Sequence, residues 1–252
     1  MNNTYGNVQP VSSKAKDTLF KKVYESEERL KGLAGFLLGC DVDDIKIQNI
    51  KPVVYGNKEN DLGFSCARFL YLMMEEQSTV CMNLAFRVAE YMITALRESV
   101  DTEKLLYGTT RVKLPYPKLY GVNVGIVYNV NKLPETVTYD MRLSASYEVR
   151  EGFEEICKVP DLEAVVHMYD YRMTLAEVGA YLKDEIIPDR FEGHQGDLFN
   201  YALTANSITY IQKQLIISDR QKQQFPEKVT SLPDLFKPLG TAFSGYFLSC
   251  LV

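Results

Sequence analysis

The chain has 252 residues, of which 46% are hydrophobic and 24% charged, a composition that predicts a globular protein with a large core. Its net charge of −5 excludes a general basic field, so nucleic acid or anionic lipid would need a local patch or a metal ion. Five scattered cysteines without a C-x-x-C pair argue against a zinc site and predict reduced thiols. The longest apolar stretch is too short to span a bilayer, so we expect a cytoplasmic protein with no membrane partner.

The first helical pattern follows a polar segment. Residues 1–13 are rich in Asn, Ser and Gly without apolar periodicity, which predicts a flexible lead. Apolar residues then recur at helical spacing from Asp17, a candidate N-cap, to Gly39, a typical helix stop, and Ser26 is a candidate break between two helices. Residues 44–56 alternate apolar and polar side chains, which is typical of a strand.

The rest of the chain predicts alternating strands and helices. Residues 61–77 read as two strands joined by a tight turn, and Asn83 is placed to cap a helix that ends near Ser99. Further strands and helices are predicted, in chain order, within residues 111–129, 136–147, 163–173, 174–187 and 196–218. The fold class is therefore α/β with a mixed sheet, because an antiparallel hairpin excludes an all-parallel one.

The pattern changes near residue 190. We expect a core over residues 14–190 and, over residues 191–252, a helical and apolar C-terminal extension of unknown role. Its last residues are apolar, which is compatible with packing into the core or into a homodimer interface. The packing residues predicted there are Phe243, Tyr246, Phe247 and Leu248.

The predicted hairpin places two carboxylates opposite each other. Residues two apart in a strand share a face, so Glu75 and Gln77 align while Glu76 points to the other face. A tight turn centred on Arg68 pairs Asp61 with Glu75. Opposed side chains of antiparallel strands have Cβ atoms roughly 4.5–5.5 Å apart, a distance at which two carboxylates repel.

A divalent cation would make this arrangement favourable. Mg²⁺ and Mn²⁺ are hard ions that bind a few carboxylate oxygens together with waters. Such an ion polarises a phosphoryl oxygen and lowers the pKa of its bound water, and Gln77 is placed to orient that water. The alternative is that both acids belong to a solvated strand edge or to a turn.

Several short motifs occur in one order along the chain. "NDLGF" is followed by "EEQST", then by Asn83, Arg87 and Tyr91, then by "LYG" and "KLPYPKLY", while "KDTLFKKVY" lies upstream of all of them. This order resembles the PD-(D/E)XK nuclease superfamily, and within it the branch of PD-(D/E)XK family transposases, also named recombination-promoting nucleases. The resemblance covers roughly residues 14–175 and is loose after residue 130.

The resemblance implies a restriction-endonuclease-like core and a Mg²⁺- or Mn²⁺-dependent nuclease that cuts DNA, in a mobile-element or phage-conflict setting. It implies metal ligands at Asp61 and Glu75, with Gln77 in the place of the usual Lys. Gln77 can position water but cannot stabilise charge as an ammonium group does. Asp17 is either an additional catalytic acid on the first helix or a plain N-cap.

Two basic residues are candidates for nucleic-acid binding. Arg87 either meets a phosphate or pairs with Glu90 or Glu98 on its own helix. Lys21 belongs either to a local basic patch or to a solvated helix face. The rival functions are a nuclease-like binding or assembly module that has lost catalysis and an RNase on the same fold, and the sequence does not separate DNA from RNA as the substrate.

Overall fold

A computed structural model of the chain describes residues 15–41, 47–48, 54–55, 58–59, 61–66, 70–100, 107–148, 151–152, 163–193 and 196–224. The described helices are α1 (Ala15–Val23), α2 (Glu27–Leu38), α3 (Leu84–Glu98), α4 (Leu175–Asp184) and α5 (Asp197–Gln224). The described strands are β1 (Ile47–Gln48), β2 (Val54–Tyr55), β3 (Lys58–Glu59), β4 (Leu62–Cys66), β5 (Leu70–Gln77), β6 (Tyr116–Asn123), β7 (Thr138–Arg142) and β8 (Val165–Asp170). The lead over residues 1–13 and the apolar residues 243–248 lie outside these ranges.

The first helical pattern forms two helices that meet at Ser26. The Ser26 hydroxyl accepts a hydrogen bond from the backbone N–H of Arg29 and so caps α2, which confirms the predicted break. Gly39 ends α2 in the left-handed region at φ 63°, a conformation that glycine adopts without a steric cost. Asp17 is not the N-cap of α1, because the helix already begins at Ala15. The ammonium group of Lys16, in the first turn of α1, donates to the Ser78 hydroxyl at 2.7 Å. This contact joins α1 to the end of β5.

A six-stranded mixed sheet forms the centre of the molecule, with strand order β1-β4-β5-β6-β8-β7. Strands β5, β6 and β8 run parallel, whereas β1, β4 and β7 pair antiparallel to their neighbours. A separate pair, β2 and β3, is antiparallel. The mixed α/β class predicted from the sequence is confirmed, and among the described residues no helix has the length and apolar character needed to cross a membrane.

Helices cover both faces of this sheet. On one face, Leu72 and Met74 of β5 pack in a cluster with residues of α1, α2 and α5. On the other face, Met73 packs in a cluster dominated by α3. Strand β5 is therefore buried, with apolar side chains on both faces of the sheet. Helix α5 contributes Leu198, Phe199 and Tyr201 to the first cluster, so the chain just after residue 190 lies in the same core as α1 and α2.

The backbone after β6 passes very close to the end of β5. The N–H of Val124 donates to the carbonyl of Gln77 at 2.8 Å, and the next residue is Gly125. A β-carbon at Gly125 would overlap the carbonyl oxygen of Ser78. Since a backbone atom cannot turn away as a flexible side chain can, this position requires glycine.

Replacing Gly125 with Ala is expected to lower the free energy of unfolding by about 1–3 kcal/mol, because the methyl group overpacks against backbone. Gly32→Ala is the matched control, since a β-carbon on this exposed face of α2 meets open space. That variant is expected to gain up to about 1 kcal/mol from helix propensity. Urea denaturation measures both, and equal stability of the two variants would contradict the close approach.

Candidate functional site

The register of the β4–β5 hairpin places Asp61 opposite Glu75. The paired residues run from Cys66 with Leu70 to Leu62 with Met74, and one further step outward joins Asp61 to Glu75. This register is the one that the sequence predicts from a turn centred on residue 68. The two acids therefore sit at the open end of the hairpin, on adjacent antiparallel strands.

Hydrogen bonds join the two strands at this open end. The N–H of Asp61 donates to Oε1 of Glu75 at 3.3 Å. In return, Oδ2 of Asp61 accepts from the N–H of Glu76 at 2.7 Å. Each acid thus accepts a backbone hydrogen from the other strand, which fixes the positions of both carboxylates.

Glu75 is buried, with 3% of its surface exposed, and Arg87 of α3 neutralises it. The Arg87 guanidinium donates to Oε2 of Glu75 at 2.8 Å. Burial raises the pKa of Glu75 to about 7, the Asp61 carboxylate also acts to raise it, and Arg87 opposes both effects. The sequence offered an ion pair of Arg87 with Glu90 or Glu98 within α3. In the structure, Arg87 instead pairs with Glu75 of the sheet. No local pattern in the sequence indicates this contact, since α3 must first pack on β5.

Gln77 follows Glu75 on the same face of β5 and is half-buried. Its amide nitrogen donates to the carbonyl oxygen of Glu76 at 2.5 Å. Its register partner on β6 is Asn123, which is buried and donates to the hydroxyl of Tyr139 at 2.7 Å. The sequence did not single out Asn123 or Tyr139, whose contact depends on the order of β6, β8 and β7 in the sheet.

The two remaining candidates lie on α1, which packs on the face of the sheet opposite to α3. Asp17 lies in the first turn of α1, next to Lys16, whose side chain reaches Ser78 just after β5. Lys21 is exposed in the last turn of α1 and lies farther along the helix from that contact. The structure therefore brings Asp61, Glu75 and Arg87 together directly and Gln77 beside them.

The donor set at the hairpin end suits a hard cation. Asp61 and Glu75 offer only oxygen atoms, and Mg²⁺ is commonly held in proteins by one or two carboxylates with the remaining positions filled by water. Within the described ranges, no group of three or more His, Cys, Asp or Glu residues is arranged to hold a metal. A cation here would rest on two carboxylates and would replace the Arg87 guanidinium at Glu75.

The chain was compared with protein-family models, with curated proteins and with solved structures, and none of them matches it. The motif order and the geometry of the hairpin end are therefore the grounds for a functional proposal.

Replacing Glu75 with Gln is expected to raise stability at alkaline pH in chelator. The folded-state pKa of Glu75, about 7, lies above the ordinary value of 4.5. The folded protein therefore holds this proton more tightly than the unfolded chain does, and the associated stability is lost as pH rises from below 4.5 through 7. The glutamine amide of the variant does not titrate. The difference in free energy of unfolding, variant minus parent, should rise by about 2–3 kcal/mol between pH 5 and pH 8.

Urea titrations at several pH values measure this difference. Arg87→Met provides the matched test, because removing the guanidinium raises the pKa of Glu75 and moves the transition of the otherwise unchanged protein to higher pH. A difference between Glu75→Gln and the parent that stays constant with pH would show that the Glu75 carboxylate is solvated rather than buried.

Proposed function

We propose that the chain is a metal-dependent nuclease of the PD-(D/E)XK type that hydrolyses DNA phosphodiester bonds. The observation that carries this proposal is the opposed pair of Asp61 and Glu75 at the open end of the β4–β5 hairpin. A simple ion pair with Arg87 would need only one of these two acids. Arg87 already pairs with Glu75, so the second carboxylate, Asp61, is the feature that suggests a further positive charge such as a divalent cation.

The order of elements around the pair supports the same proposal. A helix precedes the antiparallel hairpin, α3 follows it, and β6 then pairs parallel with β5. This is the order expected for the PD-(D/E)XK core, with the acids on the two hairpin strands. The parallel β5–β6 connection through α3 also explains why Arg87 lies over the acids, since α3 crosses the face of the sheet that carries Glu75.

The residues of the site fit the chemistry of phosphodiester hydrolysis. Asp61 and Glu75 would hold a Mg²⁺ or Mn²⁺ ion, which when bound supplies charge for the phosphoryl oxygen and a more acidic water. Arg87, once released from Glu75, remains beside the acids and binds a phosphate oxygen through its planar guanidinium. Gln77 would orient water after its amide leaves the carbonyl of Glu76, and Arg87 would supply from α3 the positive charge that the usual Lys provides.

A nuclease-like binding module is the second candidate, and the Arg87–Glu75 ion pair is the observation that favours it. An arginine at 2.8 Å satisfies Glu75 without a metal, and the Gln77 amide is directed to a backbone carbonyl. In this case Asp61 and Glu75 hold the hairpin end together and no hydrolysis occurs. An RNase on the same fold would use the same residues, so the assay below includes RNA.

We expect metal-dependent cleavage of DNA that is lost when either carboxylate is removed. Plasmid, linear and single-stranded DNA and RNA are each incubated with Mg²⁺, Mn²⁺ or chelator. Asp61→Asn and Glu75→Gln keep the side-chain shape but remove a metal ligand, and each should reduce the cleavage rate by about 100-fold or more. Glu98→Gln removes the same charge from the exposed end of α3 and should cut like the parent.

The outcomes separate the candidates. Cleavage of RNA alone assigns the RNase, and nucleic-acid binding without cleavage assigns the binding module. Cleavage that survives in Asp61→Asn and Glu75→Gln contradicts the proposed site. Thermal unfolding of each variant shows that a lost activity is not a lost fold.

A further inference from the structure

A row of polar and aromatic side chains crosses the sheet on the face opposite to Glu75. Tyr120 of β6 pairs in register with His167 of β8, which pairs with Asp140 of β7. Tyr120 packs in the cluster formed by α1, α2 and α5, and its hydroxyl donates to the carbonyl of Leu37 near the end of α2. The row therefore lies beside the end of α2, away from the hairpin acids and from α3.

His167 and Asp140 form a hydrogen-bonded pair. Nδ1 of His167 lies 2.8 Å from Oδ1 of Asp140, and about two-fifths of each side chain is exposed. A carboxylate accepts hydrogen bonds, so Nδ1 of His167 donates to Asp140 and Nε2 is the ring nitrogen left for a ligand. The Tyr120 ring lies 5.6 Å from the imidazole, centroid to centroid. The pair thus offers a ligand one ring nitrogen, one carboxylate and an aromatic surface.

These residues line an open cavity of about 580 Å³, which is within the range of small-molecule sites. Leu37, Lys118, Tyr120, Asp140, His167 and Tyr169 contribute to its walls and floor. Tyr169 contacts the exposed ring of Phe36 at 5.7 Å, which extends the aromatic surface toward α2. Tyr120 is buried, so the partly exposed rings of His167, Tyr169 and Phe36 form the aromatic floor that suits a flat, aromatic ligand.

The charges around the cavity suit a phosphate at one end. Lys118 lies two residues before Tyr120 on β6, and its ammonium group rests over the Tyr116 ring, 5.9 Å from the centroid. In the described part of the chain no carboxylate lies within ion-pair distance of that group, so Lys118 is available for an anion. Arg142 already neutralises Asp140 at 3.3 Å. The cavity therefore combines an aromatic floor, a neutralised carboxylate and an accessible cation.

We propose that this cavity is a second ligand site that binds a nucleotide, with the base stacked on the aromatic floor, the phosphate on Lys118, and polar edges on the His167–Asp140 pair. Aromatic stacking with a neighbouring cation is the common way in which proteins hold single nucleotides of any sequence. A carboxylate accepts hydrogen bonds from ribose hydroxyls or base amino groups. The site lies on the other face of the sheet and does not depend on the proposed nuclease activity.

A free mononucleotide and the terminal nucleotide of a single strand both offer the site a base, a sugar and a phosphate. Isothermal titration calorimetry in chelator distinguishes them, with AMP, adenosine, inorganic phosphate and a 5′-phosphorylated oligonucleotide as titrants. We expect one saturable site for AMP, with weaker binding of adenosine and of phosphate, because each has only part of the contacts. Binding of the oligonucleotide without AMP supports the site, with a strand terminus as its ligand, when His167→Ala removes that binding, and contradicts it when His167→Ala leaves that binding unchanged, because the proposed nuclease site also binds DNA.

Two variants of surface side chains test the assignment. His167→Ala and Lys118→Gln should each weaken binding by at least about tenfold, a loss that calorimetry resolves easily. Lys183→Gln, at a side chain that is 80% exposed on α4, is the matched control and should bind like the parent. Glu75→Gln should also bind normally, so a failed nuclease and a failed nucleotide site give different results. No saturable binding of any titrant, or equal binding by all variants, would overturn the proposal.

Discussion

The burial of the Glu75 carboxylate is the constraint on which the arrangement of this region depends. A charged group that leaves water must be neutralised and hydrogen-bonded, or its burial costs several kcal/mol. Glu75 meets this requirement through Arg87 and the N–H of Asp61. Arg87 lies on α3 and Asp61 directly before β4, so one carboxylate joins a helix to both strands of the hairpin. Burial and the Asp61 carboxylate raise the pKa of Glu75 to about 7, and Arg87 opposes both effects.

If the Asp61–Glu75 pair binds a cation as proposed, the negative charge of the two carboxylates is what this ion would balance. The Asp61 carboxylate adds to the negative potential at Glu75, and the single positive charge of Arg87, which pairs with Glu75, opposes it. A divalent ion bound to the oxygens of both acids would balance their charge fully and would free the guanidinium for a phosphate. The opposite interpretation, a purely structural cluster, accounts for Arg87 through its ion pair with Glu75 and for Asp61 through the two backbone hydrogen bonds at the hairpin end, and it predicts no cation there.

The sequence predicts contacts that follow from one local rule and misses those that need the packed sheet. The pairing of Asp61 with Glu75 is predictable because a strand has a period of two and one turn sets every pair of a hairpin. The break between α1 and α2 is predictable because serine caps helices. In contrast, the Arg87–Glu75 contact depends on how α3 sits on β5, and the His167–Asp140 pair joins residues 27 apart in sequence across neighbouring strands. Neither contact has a spacing that a motif or a periodicity could reveal.

The central claim is that a divalent cation binds to Asp61 and Glu75, and its most direct test is to look for that ion in a crystal. Crystals grown with Mn²⁺ can be measured near the manganese absorption edge, where the ion alone gives a strong anomalous signal. The account predicts a peak in contact with one oxygen of each carboxylate and an Arg87 guanidinium that has left Glu75. A structure without a peak at the hairpin end, in which Arg87 still donates to Glu75 at millimolar Mn²⁺, would contradict it.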